Sequence, residues 1–217
     1  MKFFVDTANI EEIEKLIPSG FVDGVTTNPS LIAKQGTNMA ETIKTICSIV
    51  DGPVSAEVTA TEFDKMLEEG EYLASLAKNV AVKVPLTIDG LKTCKALRKK
   101  EIMVNVTLCF SAAQALLAAK AGASFISPFV GRLDDIGEKG MDLIEDIVVM
   151  YENYAFETEV LVASVRTKQH IIDSAVIGAH VATLPPKVIN ELYEHPLTKK
   201  GLDAFLDDWK KTGQSIL

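Results

Sequence analysis

The sequence predicts an α/β fold, a (β/α)8 barrel of the TIM type, and three observations carry that prediction. Short β-branched runs centred on Val5, Val25, Ala56, Val82, Val104, Ile126, Val162 and Val181 alternate with longer stretches of helical periodicity. That is the pattern of βα units laid around a parallel sheet. The runs recur about every 25 residues, so eight units fill a chain of 217 residues. No glycine-rich turn follows the first run, where Val5-Asp6-Thr7-Ala8-Asn9 stands. An open doubly wound sheet would carry its phosphate-binding glycines there, which ranks that architecture second. No low-complexity linker interrupts the chain, so residues 1–217 are expected to form one domain that includes a C-terminal helix over about 198–215.

Taken in order, the first run, Lys2-Phe3-Phe4-Val5-Asp6, leads to Asn9, a helix N-cap ahead of Ile10-Glu11-Glu12. Gly24-Val25-Thr26-Thr27 leads to Asn28-Pro29, a cap followed by proline at the first helical position. Thr61 with Asp64 and Ser111 with Gln114 read as further N-terminal caps. Apolar residues repeat at three- and four-residue spacing over 38–50, 62–78, 88–99, 111–120, 138–152 and 167–176, which predicts helices with one face on a sheet. Residues 186–217 read as two helices separated by His195-Pro196, and Leu202, Phe205, Leu206 and Trp209 form an apolar stripe on the second.

Apolar residues make up 47% and charged residues 24%, enough for a sizeable core and inconsistent with disorder or a collagen-like repeat. A formal charge of −8 argues against a broad basic footprint for nucleic acid or an anionic membrane. An anionic ligand would need a few Lys or Arg residues converging locally. Cys47, Cys94 and Cys109 lie far apart with no Cys-x-x-Cys pair, which suggests neither a disulfide framework nor a zinc site. His170, His180 and His195 form no ligand pattern, so no metal or other cofactor is expected. No stretch approaches 18 apolar residues without a charge, and a reducing, cytoplasmic location is expected.

Chemistry is signalled where polar residues interrupt the strands. In Val80-Ala81-Val82-Lys83-Val84-Pro85 the valines share one face, so Lys83 points inward if the valines meet the helices. A buried ammonium is costly unless it is paired or neutralised. Only about 0.04% of a lysine amine is free at pH 7 at an ordinary pKa of about 10.4, whereas a pKa near 7.5 would free roughly a quarter of it for attack on a carbonyl. A Lys–carboxylate pair is the structural alternative. Asp6, Glu57, Asn105 and Thr107 interrupt neighbouring runs in the same way, near the C-terminal strand ends where such barrels place catalytic groups. Ser127 through Arg132 follows the sixth run and Ser164-Val165-Arg166 the seventh, and two guanidinium groups with serine hydroxyls could cradle a phosphate.

These stretches carry a resemblance that runs over essentially the whole chain. Phe4-Val5-Asp6-Thr7-Ala8-Asn9, Gly24-Val25-Thr26-Thr27-Asn28-Pro29-Ser30, Val82-Lys83-Val84-Pro85, Asn105-Val106-Thr107, Ser127-Pro128-Phe129-Val130-Gly131-Arg132 and Ala163-Ser164-Val165-Arg166 are similar to the small, single-domain transaldolases, close to the fructose-6-phosphate aldolases. The resemblance implies a barrel of the class I aldolase type in which Lys83 forms a Schiff base with a ketose phosphate. It gives Asp6 the donor's C4 hydroxyl proton and sets Glu57 to work through a water held with Thr107. Asn28, Asn105 and Ser127 would position donor hydroxyls, while Arg132, Ser164 and Arg166 would hold the acceptor phosphate. Glu57 and Phe129 resemble transaldolases, where the aldolase branch typically carries glutamine and tyrosine. The implied activity is therefore transfer of a dihydroxyacetone unit from fructose 6-phosphate or sedoheptulose 7-phosphate to erythrose 4-phosphate or glyceraldehyde 3-phosphate, a reaction of the pentose phosphate pathway. Release of free dihydroxyacetone is the alternative, and a non-catalytic sugar-phosphate binding barrel ranks below both. The small subfamily forms pentameric rings that pair into decamers through C-terminal helices, so a homopentamer or homodecamer is expected.

Overall fold

The β-branched runs become strands because side chains branched at Cβ suit a pleated surface buried on both faces. In the computed structural model, which describes residues 1–217, they form β1 (Lys2–Asp6), β2 (Gly24–Thr26), β3 (Val54–Glu57), β4 (Val80–Pro85), β5 (Met103–Cys109), β6 (Phe125–Pro128), β7 (Glu159–Val162) and β8 (Val181–Leu184). All pair in parallel with their sequence neighbours, and β8 returns to β1 to close an eight-stranded barrel. The expected (β/α)8 architecture is the one observed.

The helices are α1 (Ile10–Leu16), α2 (Pro29–Gln35), α3 (Met39–Ile49), α4 (Phe63–Leu76), α5 (Ile88–Arg98), α6 (Ala112–Lys120), α7 (Val130–Asp135), α8 (Gly140–Asn153), α9 (Lys168–Ile177), α10 (Pro186–Tyr193) and α11 (Pro196–Thr212). Asn9 accepts the Glu12 N–H at 3.3 Å and Asn28 the Leu31 N–H at 2.9 Å, as their positions predict. At Ser111 the hydroxyl accepts the Gln114 N–H at 3.3 Å, while the Gln114 side chain reaches back to the Phe110 N–H at 2.8 Å. Thr61 makes no cap. The α4 N-cap falls at Glu62 without a side-chain bond, and the loop before it is held by Glu69, which accepts the Thr59 and Ala60 N–H groups at 2.7 and 2.9 Å. Helix α7, absent from the periodicity reading, begins one residue after β6 ends.

Alternation along the strands divides the core in two. Outward residues such as Val5, Val82, Val84, Val104, Val106 and Ile126 join the helices in a cluster of 43 buried residues. Each fully buried Val or Ile contributes roughly 1.5–3 kcal/mol, so this outer layer holds the helices on the barrel. Inward residues Phe4, Ala81, Phe125, Leu161, Ala163 and Val181 form a separate cluster of six inside it. The Phe4 and Phe125 rings meet edge to face with centroids 5.7 Å apart. Gly24 makes room for this plug, since a Cβ there would lie 2.6 Å from the Phe4 ring.

The plug positions the site by simple periodicity. Two residues beyond Phe4, Ala81, Met103, Phe125 and Val181 on the same inward faces stand Asp6, Lys83, Asn105, Ser127 and Thr183. Apolar side chains fill the barrel toward the N-terminal strand ends, and polar groups gather toward the C-terminal ends.

Candidate active site

A cavity of about 140 Å³ opens above the plug. Asp6, Asn28, Lys83, Ser127, Phe129, Arg132 and Ser164 line it, which brings together seven of the eleven residues singled out from the sequence. Thr26, Ala163 and Thr183 complete the wall. Strands β1, β2, β4, β6 and β8 supply the inward-facing groups, and the segments after β6 and β7 supply the rim.

Lys83 is buried, 6% exposed, with its Nζ 2.9 Å from Glu57 Oε2 and donating to the Thr27 carbonyl at 3.2 Å. Residues 57 and 83 are register partners on β3 and β4, so the sheet itself sets the pair face to face. The buried ammonium is thus paired with a carboxylate, which offsets the cost of its burial. A proton can pass directly between Nζ and Oε2 at that separation.

Asp6 sits across the cavity wall. Its Oδ1 accepts the Thr26 hydroxyl at 2.8 Å, and the Thr26 oxygen lies 2.5 Å from the Thr183 hydroxyl. Both threonines are buried. Burial raises the Asp6 carboxyl above its ordinary value of 3.8; the Thr26 hydrogen bond and the Lys83 charge pull it back, and the Glu57 charge adds to the rise. A carboxyl raised toward neutrality suits a group that both takes and returns a proton.

Four expected residues lie off the cavity wall. Asn105 is fully buried; its Nδ2 donates to Ser55 Oγ at 3.1 Å and its Oδ1 accepts the Ser127 hydroxyl at 2.7 Å, so it fixes Ser127 from behind. Glu57 lies behind Lys83. Thr107 is two residues beyond Asn105 on the same face of β5, and its buried Oγ1 has no hydrogen-bond partner. A buried unpartnered hydroxyl is costly unless it serves a bound polar molecule. Arg166 is held by Asp135 through both guanidinium η nitrogens, away from the wall that Arg132 lines. Arg132 instead stands over the Phe129 ring, 4.9 Å from its centroid, and Phe129 packs edge to face on Phe110 at 5.7 Å.

Burial pushes the Cys47, Cys94 and Cys109 thiols up to about 11, 12 and 11, which keeps them protonated and inert. The fold groups no three His, Cys, Asp or Glu side chains that could hold a metal ion.

The family described as transaldolase/fructose-6-phosphate aldolase matches residues 3–216. The chain belongs to the transaldolase/fructose-6-phosphate aldolase family. Among its relatives, a protein of Parvibaculum lavamentivorans named probable transaldolase is 64% identical, with 100% of both chains covered. A probable transaldolase of Rhodospirillum centenum is 62% identical over 100% of this chain and 94% of its own. Among solved structures, a mandelate oxidase variant superposes with a TM-score of 0.57 at 14% identity, covering 85% of this chain while the chain spans 64% of that one. That likeness is one of barrel fold alone.

The cavity also contains two groups that the strand alternation did not single out. Thr26 and Thr183 occupy inward positions beside the Asp6 carboxyl, but β2 is three residues long and β8 four, too short for a polar alternation to stand out. The usable signal was Thr183 in Val181-Ala182-Thr183-Leu184, where one hydroxyl interrupts an otherwise apolar strand.

Proposed function

We propose that this chain is a transaldolase that carries a dihydroxyacetone unit on Lys83, from fructose 6-phosphate or sedoheptulose 7-phosphate to erythrose 4-phosphate or glyceraldehyde 3-phosphate. The observation that carries the reading is the buried Lys83 amine, 2.9 Å from Glu57 in a cavity it shares with Asp6. Glu57 takes a proton from Nζ, and the free amine attacks the ketone carbon of the donor. The carbinolamine hydroxyl then leaves as water with a proton from Glu57, and we assign the unpartnered Thr107 hydroxyl to hold that water. Asp6 removes the C4 hydroxyl proton as the C3–C4 bond breaks, and the bonding electrons flow into the protonated imine to give an enamine. The first aldose departs. An acceptor aldehyde reverses these steps, Asp6 returns its proton to the new alkoxide, and water releases the ketose.

Ser127, fixed by Asn105, and Asn28 provide hydrogen-bonding groups for the donor, while Arg132 and Ser164 face the cavity where the acceptor phosphate would lie. Phe129 presents a ring without a hydroxyl. The enamine then has no phenol beside it to deliver a proton or water, which favours transfer over release of free dihydroxyacetone. We further propose that the chain works in the cytoplasm as a homopentamer or homodecamer. No helix is long and apolar enough to cross a membrane.

Borohydride reduction in the presence of fructose 6-phosphate is expected to leave a dihydroxyacetone adduct on Lys83, detected by peptide mass spectrometry. An unmodified Lys83 with turnover intact would overturn the mechanism. Turnover is expected to require erythrose 4-phosphate. Faster acceptor-independent release would favour the aldolase activity, and sugar-phosphate binding with neither adduct nor turnover would favour a non-catalytic barrel.

A further inference from the structure

The arginine expected to hold phosphate from the end of β7 is already engaged by a carboxylate of this chain. Arg166 donates through Nη1 and Nη2 to the two oxygens of Asp135, the last residue of α7. This is the parallel, two-bond fork by which a guanidinium also grips phosphate. The other edge of the guanidinium is less accessible: a Cβ on Gly131 would lie 2.7 Å from Arg166 Nε and 3.1 Å from its Cδ, so α7 backbone passes directly beneath it. The η edge is the face open to a ligand, and Asp135 occupies it.

The surroundings separate a fixed backbone from a free side chain. The Gly131 N–H donates to the Ser164 carbonyl at 3.2 Å, the Arg166 N–H to His170 Nδ1 at 3.4 Å, and His170 Nε2 meets Asp134 at 3.0 Å. These bonds strap the β7–α9 segment to α7. Arg166 and Asp135 themselves are 48% and 50% exposed, where an ion pair is readily exchanged. Arg132, on the same short helix, reaches the cavity. The hydrogen bonds from Arg166 hold the Asp135 carboxyl below its ordinary 3.8, which keeps it an anion at working pH.

We propose that Asp135 is a specificity-determining residue that competes with the substrate's phosphate for the η edge of Arg166. Phosphate binding then exchanges one anion for another instead of filling a bare cation. Two consequences follow: the exchange weakens every phosphate at this edge by one common factor, so affinity for inorganic phosphate is restrained, and the preference for a phosphorylated over an unphosphorylated acceptor is reduced. The proposal rests on the transaldolase reading for its substrate, but binding of the anion itself needs no chemistry.

Inorganic phosphate is the probe, titrated calorimetrically into the full chain. Asp135→Asn is expected to tighten phosphate about two- to fivefold, the scale at which an exposed ion pair is exchanged. In an Arg166→Ala background the same substitution is expected to change nothing, because the competition has lost its object. Kinetically, Asp135→Asn should lower KM for glyceraldehyde 3-phosphate relative to unphosphorylated glyceraldehyde. Unchanged or weaker phosphate binding in Asp135→Asn, a gain that persists without Arg166, or no phosphate binding by either form would overturn the proposal. Because calorimetry reads binding without turnover, an absent Lys83 adduct would remove the transaldolase reading and leave this result standing.

Discussion

Asp6 shows how one side chain can be costly to the fold and useful to the chemistry. Its carboxyl is raised by burial, so between the unfolded value near 3.8 and the folded one the native state binds more protons than the unfolded chain. Stability therefore falls as pH climbs through that window, and the full cost of the buried charge is present above it. Asp6→Asn removes the charge but keeps an oxygen to accept the Thr26 hydroxyl. The variant should be more stable than the natural chain at pH 7 in urea denaturation, with the difference vanishing below about pH 3.8, while kcat drops by about 10²- to 10⁴-fold. A variant less stable at pH 7, or one keeping a tenth of its activity, would show that Asp6 is a structural partner of Thr26 instead. Single inward polar residues such as Lys83 were legible in the sequence because each broke an apolar alternation. Glu57 was legible as a polar residue, but its direct contact with Lys83 depends on β3–β4 register, which no local pattern specifies.

Among the elements, the short helix α7 governs how the anion-binding rim is assembled. It follows β6 after Phe129 alone and places Arg132 at the cavity, Gly131 under Arg166 and Asp135 against that arginine. A Cβ at Gly131 would stand 2.3 Å from the Ser164 carbonyl oxygen, too close without a shift of α7 away from the β7–α9 segment. Gly131→Ala is expected to cost roughly 1–3 kcal/mol of stability, as overpacking does. It should also raise KM for phosphorylated acceptors more than for unphosphorylated ones. Denaturant titration together with that KM ratio decides it, and an unchanged ratio would mean that the helix position does not set the phosphate site. Periodicity missed α7 because six residues give fewer than two turns of pattern, and its arginine and aspartates read equally well as a loop. The longer helices were legible because an amphipathic stripe over 14 residues, as in α8 with Leu143, Ile144, Ile147, Val148 and Tyr151 buried, repeats often enough to be unambiguous. Thr61 misled for the opposite reason: its sequence matches a cap, but Glu69 from the helix body satisfies that loop's N–H groups.

At the scale of the molecule, closure of the barrel uses every strand edge and leaves the C-terminal helix as the unresolved packing problem. Helix α11 buries none of its residues, and Leu202, Phe205, Leu206 and Trp209 are 55, 75, 48 and 41% exposed. Nearby in the chain, Tyr193 on α10 rims an apolar hollow of about 240 Å³ with Phe3, Phe21, Ile189 and Leu192. Monomeric proteins rarely present large apolar side chains in such a row, and association is the usual way of covering them. Each chain also carries a formal charge of −8, so the proposed association would need apolar contact strong enough to outweigh like-charge repulsion. For the proposed homopentamer or homodecamer, light scattering is expected to give five or ten times the chain mass of 23.5 kDa, with little change as salt is varied. Phe205→Asp combined with Trp209→Lys should lower the mass toward that of one chain. The adduct on Lys83 should persist, because the double variant leaves the barrel interior and its strand register untouched. A natural chain that scatters as a monomer would refute the assembly, and a double variant that keeps the full assembly would place the cohesive surface away from α11.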